Sequence, residues 1–352
     1  MSSERPRAER PPQYIGLQIG RGIASLLVVG HHTSGKLALT QAESGQAAFL
    51  NGLLDIGWIG VDFFFVLSGF IIAMTLSQGP AAGQFVYRRF IRVYLPFWVV
   101  FGLTLLVSAA LPPLRHSLSG FAPWEWVLAL GLLPSGHSAP VIGVAWTLHH
   151  EILFYAFGAL WLIWPRTTLA CAAALLLTSL AVHDTRYPIQ FLLSPLHWEF
   201  VFGIAIFLTH QHFKRPLALA AVACGLVWIF VTHALYPADN DATGAARVLQ
   251  FGIGFSLICL GSSAWERHGQ PGTQAWLQTL KRWGKHLGDW SFGLYLIHIP
   301  IILAVLKISA RWQNSGNPHA AQYIGLAAMA TCVFCAWLFY TRVEQPILKR
   351  LR

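Results

Sequence analysis

Arg21, His31 and His32 stand in one apolar run, RGIASLLVVGHH, residues 21–32. At about 100° per residue, eleven helical steps return to within about 20° of the starting direction. His32 therefore shares a helix face with Arg21, about 16 Å further along, whereas His31 points about 80° away. That face carries a fixed positive charge at one end and a titratable imidazole at the other. An imidazole titrates close to neutral pH, which suits it to take a proton from an alcohol. The competing reading of His32 is a polar residue that ends an apolar span at the membrane interface.

A second stretch, WTLHHEILFY (146–155), sets Thr147, Glu151 and Tyr155 at i, i+4 and i+8, a polar stripe along one helix face. Glu151 falls about two turns inside the span, at a depth similar to that expected for His32. A carboxylate there can orient or charge-stabilise a histidine, or pair with Arg21 or another base. A third stretch, VYRRFIRVYLP, brings Arg88 and Arg92 four residues apart. On one face they can grip phosphates, although the positive charge of a cytoplasmic loop explains them as well. There is no Gly-rich phosphate loop, no H-E-x-x-H and no G-x-S-x-G, so ATP hydrolysis, zinc-protease and serine-hydrolase chemistry have no support. The five cysteines lie in apolar segments, and the C-x-x-C of Cys332 and Cys335 has no second pair nearby. They read as packing residues rather than ligands, and no metal is expected.

The elements that must position these groups are membrane spans. Of 352 residues, 55% are hydrophobic and only 11% charged, against about 25% charged in a soluble domain. Apolar segments recur at about 14–33, 56–77, 91–111, 124–134, 143–164, 167–183, 189–209, 216–235, 246–264, 287–308 and 321–342. Segment 124–134 is too short to cross, and reads as a re-entrant or interfacial piece. With it excluded, Arg5, Arg7 and Arg10, the 88–92 arginines, Lys214 and Arg215, the 281–285 cluster and the final Lys349, Arg350 and Arg352 all fall on one side. The expected fold is thus an all-α polytopic membrane protein of about ten transmembrane helices, with both termini cytoplasmic. Residues 1–13 read as a disordered polar tail, not a signal peptide, and 14–352 as one membrane domain. The formal net charge of +10 follows from those one-sided loops and does not call for nucleic acid. Trp58, Trp124, Trp126, Trp164 and Trp312 lie near span ends, as an aromatic belt would. Inside the spans stand Arg21, His31, His32, Asp62, His149, His150, Glu151, His197, Glu199 and His298. Ionisable groups at depth are costly. So many together point to a polar cavity, unless they serve only to pair with one another.

In order along the chain, these motifs resemble the membrane-bound acyltransferase family 3, and within it the exopolysaccharide O-acyltransferases. LQIGRGIASLLVVGHH is similar to the family's Arg/Lys-x10-His pattern, with His32 as the histidine. IGVDFFFVLSGFIIA (59–73) resembles its Gly-Val-Asp-x-Phe-Phe motif, and WTLHHEILFY its Trp-Thr-Leu-x-x-Glu motif. YRRFIRVYLPFW resembles its basic entry to the third span. SPLHWEFVFGIAI, LGDWSFGLYLIHIP and RVEQPILKRL look like its later and closing segments. The resemblance implies transfer of an acyl group, usually acetyl, from a coenzyme A thioester to a sugar hydroxyl of an exopolysaccharide, lipopolysaccharide or other glycan, commonly a lipid-linked one. It implies a bacterial cytoplasmic (inner) membrane location, acyl-coenzyme A as donor substrate and no permanently bound cofactor. On this reading His32 is the general base, Glu151 orients it or stabilises its cation, and Arg21 stabilises charge near the thioester. Arg88, Arg89 and Arg92 attract the coenzyme phosphates. Asp62, Ser68, Trp146, Thr147, Glu199, Tyr295 and His298 shape the substrate cavity, and His31, His149 and His150 have no assigned role. The rival from another class is a proton-coupled membrane carrier of glycans or small solutes, since buried Glu, His and Arg also mark proton relays. Such a carrier often has two similar halves, which this chain lacks.

Overall fold

The computed structural model describes residues 14–41, 54–110, 120–134, 141–182, 188–237, 244–267, 275–313, 317 and 319–350. Residues 1–13, the expected tail, lie outside the described residues. Every regular element among the described residues is helical. Helix α1 is Ile15–Gln41; a 3₁₀ turn, Asp55–Ile59, leads into α2, Gly60–Leu76; α3 is Ala82–Ala110. The short α4 is Pro123–Leu130, followed by α5, Trp146–Ile163, and α6, Pro165–Ala181. Helix α7 is His197–Thr209 and α8 Arg215–Leu235. Helix α9 is Ala245–Arg267, α10 Ala275–Ile308 and α11 Ala320–Arg350. Both α9 and α11 contain one π-helical turn, Val248–Gly252 and Tyr340–Glu344.

Seven of the described helical segments are long and apolar enough to cross a membrane, those built on α2, α3, α7, α8, α9, α10 and α11. The chain is a multi-pass membrane protein. Helices α1 and α5 carry Arg21, His31 and His32, and His149, His150 and Glu151, so the polar residues that dilute their apolar character are the candidate chemistry itself. Helix α4, eight residues long, is too short to span, as expected of segment 124–134.

Two expected boundaries change. The arginines at 88–92 and the basic stretch 281–285 are not loops but belong to α3 and α10. Long basic side chains can lie along an apolar helix while their charged heads reach the interface, so the helix need not end where the hydrocarbon does. The segment expected at 189–209 is interrupted: one turn, Ile189–Leu192, precedes α7. Pro195, which cannot donate a backbone hydrogen bond, stands at the break.

Helix α1 packs along α10, α2 along α7, α8 along α9 and α10 along α11. Between bilayer-embedded helices the gain comes from close van der Waals approach, which small residues permit. At the α2–α7 crossing a Cβ on Gly69 would collide with the Phe200 carbonyl, and one on Gly203 with the Val66 carbonyl. Both obstacles are backbone and cannot rotate away. Gly203→Val is therefore expected to cost at least about 1–3 kcal/mol through overpacking, read as a lowered unfolding midpoint in detergent or nanodiscs. A Gly203→Val protein as stable as the parent would show that the helices do not meet this closely.

Candidate active site

Helix α2 sorts its side chains by a 3.6-residue period. Val61, Phe64, Phe65, Ser68, Ile71 and Ile72 face a cavity shared with α1, α3, α5 and α10. The cavity, mouth included, holds about 820 Å³ of atom-free space. Its polar lining is Arg21 from α1, Ser68 from α2, Arg89 and Arg92 from α3, Thr147, Glu151 and Tyr155 from α5, and Ser291 and Tyr295 from α10. The stripe read at Thr147, Glu151 and Tyr155 is thus a wall of this cavity. Tyr155 donates a hydrogen bond to Glu151 Oε1. Arg89 Nη2 donates to Thr75 Oγ1 at 2.6 Å, and its guanidinium lies 5.1 Å from the Tyr155 ring centroid. Arg21 donates to Gln18 Oε1 at 3.3 Å; the charges acting on it are Arg92, Glu344, Asp289 and Glu151. This end of the cavity is a cationic floor with acidic groups around it.

Arg88 does not join the other arginines. It is exposed, while Arg89 and Arg92 are half-buried. The pair that lines the cavity is spaced i, i+3, not the expected i, i+4 pair of Arg88 and Arg92. The buried face of α3 runs through Phe85, Val93 and Phe97, and that register turns position 88 away.

At the other end, Tyr295 Oη lies 2.9 Å from Thr147 Oγ1. One turn further along α10, His298 is fully buried, its ring centroid 6.0 Å from that of Tyr295. His298 Nε2 lies 3.3 Å from His32 Nδ1. His32 and His298 therefore sit beyond Tyr295, outside the cavity lining. The group at the His32 ring nitrogen is His298, not the expected Glu151, which lies with Arg21 on the cavity lining. The reason is helix direction. From the matched level of Thr147 and Tyr295, α5 descends to Glu151 towards the Arg21 end, while α10 climbs to His298. About seven residues of rise, roughly 10 Å, separate the two groups along the bundle.

His31 Nδ1 donates to the Asp55 carbonyl at 2.8 Å. It ties the 3₁₀ turn to α1, where Gly57 meets the Leu27 carbonyl. His150 Nδ1 lies 2.9 Å from His197 Nε2, both rings buried. Trp146 packs its ring against Phe65 and His150, and His149 sets its ring edge-on to Phe191.

Asp62 and Glu199, expected in the cavity, lie behind it. Asp62 is on the opposite face of α2 and accepts two hydrogen bonds, each 2.8 Å, from Arg247 Nε and Nη2. Both side chains are buried, 0% and 3% exposed. The Arg247 guanidinium also covers the Trp58 ring at 4.7 Å, and buried Glu199 lies within the field of both charges.

Arg247 pairs with Asp62, and buried Glu344 is one of the charges acting on Arg21; neither stood out in the sequence. Arg247 immediately precedes one π-helical turn and Glu344 ends the other. Arg247 lies inside the apolar segment 246–264, so an ionisable residue within a span was a signal for it; Glu344 lies just past the segment 321–342, at the end of a turn that adds a residue and rotates the face. The only hint for Glu344 was its place in RVEQPILKRL.

A family model described as an acyltransferase domain matches residues 14–341. The exopolysaccharide production protein ExoZ of Rhizobium meliloti (strain 1021) is 30% identical over 322 residues, 84% of this chain and 91% of that protein. Acyltransferase MdmB of Streptomyces mycarofaciens is 25% identical over 384 residues, 98% of this chain and 94% of that protein. Nodulation protein 10 of Rhizobium leguminosarum bv. viciae is 25% identical over 329 residues, 82% of each chain. No solved structure matches the chain.

Proposed function

The chain belongs to the acyltransferase family whose model spans its residues 14–341, with relatives of the exopolysaccharide O-acyltransferase type, and from that premise we propose that it moves an acyl group, usually acetyl, from acyl-coenzyme A to a sugar hydroxyl of a bacterial glycan. The observation that carries this reading is an order along the bundle: a cavity floored by Arg21, Arg89 and Arg92, with Thr147 and Tyr295 at its other end and His298 and His32 next beyond them. Arg89 and Arg92 hold the donor's phosphates, and the thioester lies further in. His32 takes the proton of the acceptor hydroxyl as its oxygen attacks the thioester carbonyl. The C–S bond breaks, and the thiolate leaves, taking up that proton to become the coenzyme thiol. Arg21, about 16 Å along α1 from His32, offsets negative charge on the donor's phosphates, with Glu151 beside it. The acceptor is an exopolysaccharide, a lipopolysaccharide or a lipid-linked sugar in the bilayer.

The topology that suits this order has ten spans in the inner membrane, with α1, α5 and α6 added to the seven longer apolar segments. Both termini and the 88–92 arginines then face the cytoplasm, on the donor side.

Purified protein in nanodiscs, given labelled acetyl-coenzyme A and glycan acceptors, is expected to yield labelled glycan or labelled protein. No label in either, across a range of glycans, would favour the solute carrier. Within that assay, Arg89→Ala and Arg92→Ala are each expected to raise KM for acetyl-coenzyme A about tenfold, the size of one charge-assisted contact. Arg88→Ala should stay within about twofold of the parent, since it loses no cavity contact. Equal effects at all three positions would point to a diffuse loop charge rather than a phosphate grip.

A further inference from the structure

Among the described residues, the hydrogen-bonding neighbours of His32 are the Val28 carbonyl, 2.9 Å from Nδ1, and His298, whose Nε2 is 3.3 Å from the same nitrogen. His298 Nδ1 in turn lies 3.2 Å from the Leu294 carbonyl. A carbonyl oxygen only accepts, so His298 Nδ1 carries a hydrogen and its Nε2 is left with a lone pair in the neutral ring. That lone pair faces His32 Nδ1, as does the Val28 carbonyl. Two acceptors at one nitrogen leave a single consistent assignment: His32 holds its hydrogen at Nδ1 and keeps Nε2 free. The reverse arrangement would set lone pair against lone pair at each contact, beside a fully buried ring.

We propose that His298 is a positioning residue that locks His32 in the tautomer whose Nε2 is available to take a proton. This rests on His32 being the base. In hydrolase triads a carboxylate does this job and stabilises the cation that forms. Here the orienting group is a second imidazole. It is fully buried, and its own direction is fixed by the Leu294 carbonyl and by packing on Tyr295. A neutral orienter sets the tautomer without adding a negative charge at depth, where an ionised carboxylate is costly. Tyr295 lines the cavity and touches His298, so the same helix turn that frames the cavity end also aims the base.

The test is the protein labelled with ¹⁵N-histidine in nanodiscs, with the His32 ring signals identified by their loss in His32→Gln. Ring-nitrogen shifts read the tautomer directly. The parent is expected to show Nδ1–H with an unprotonated Nε2. His298→Leu should move His32 towards the Nε2–H form that a free imidazole side chain favours, and lower kcat for acetyl transfer about 10–100-fold, the size carried by groups that orient an imidazole. KM for acetyl-coenzyme A should not change. His298→Gln, whose amide oxygen can still accept, should keep the tautomer and most of the activity. Nε2–H in the parent, or an unmoved His32 tautomer in His298→Leu, overturns the proposal. If His298→Leu does not fold, the parent spectrum and His298→Gln decide. Full transfer activity in His32→Ala would remove the base reading while leaving the tautomer result to stand separately.

Discussion

His32→Ala is expected to lower acyl transfer by about 10²–10⁴, the usual contribution of a positioned general base, without unfolding the protein. The side chain is half-buried and sits beyond the end of the cavity away from the arginines. Alanine removes one hydrogen bond to the Val28 carbonyl of its own helix and one contact with His298, and disturbs no ion pair. The loss should appear in kcat, because the donor's phosphates are gripped elsewhere. Labelled acetyl transfer in nanodiscs measures it, with size-exclusion elution and the thermal midpoint checking the fold. Retention of full activity would mean that the proton leaves by another route. His31→Ala gives the contrast: it cuts the tie to the Asp55 carbonyl and should reduce stability more than turnover.

Breaking the Asp62–Arg247 pair should have the largest effect on stability. Removing one partner of a buried ion pair typically costs about 3–5 kcal/mol, because the other charge is left behind without compensation. Both side chains are buried and hydrogen-bonded twice. The membrane offers no water to the survivor. Asp62→Ala and Arg247→Ala should each lower the unfolding midpoint steeply and reduce folded yield, Arg247→Ala the more so because Glu199 would then keep Asp62 company as a second acid. The double variant Asp62→Leu/Arg247→Met should recover much of the loss, as apolar replacements of whole buried pairs do. If the two single variants were mild and additive in the double, the pair would be a spectator. Activity in the folded fraction should remain, since the pair sits behind the cavity wall and not in it.

Much of the site was legible residue by residue. The i, i+4, i+8 stripe of Thr147, Glu151 and Tyr155 does line the cavity with Arg21, because an uninterrupted helix keeps its period. The same rule on α2 separates Asp62 from Ser68. They are six residues apart, and one faces the cavity while the other faces Arg247. The four-residue spacing of Arg88 and Arg92 puts them on one helix face, but it does not say which face is buried; in α3 the buried positions Phe85, Val93 and Phe97 turn position 88 outwards.

The sequence by itself determined that this is a bundle of apolar helices with ionisable residues at depth, because transfer of apolar side chains into lipid depends on composition and length alone. It also determined that His32 and Arg21 share one helix face, because that follows from backbone geometry within a single helix. Which group meets which across the bundle depended on helix direction, depth and register, and these are set by packing between segments far apart in the chain. Only the tertiary structure decided that Glu151 lies with Arg21, that His298 meets His32, and that Arg247 closes on Asp62 across 185 positions of sequence. The two π-helical turns sharpen the point. One follows Arg247 and turns the rest of α9 by an extra residue; the other ends at Glu344 and sets it out of step with the period of α11 before it.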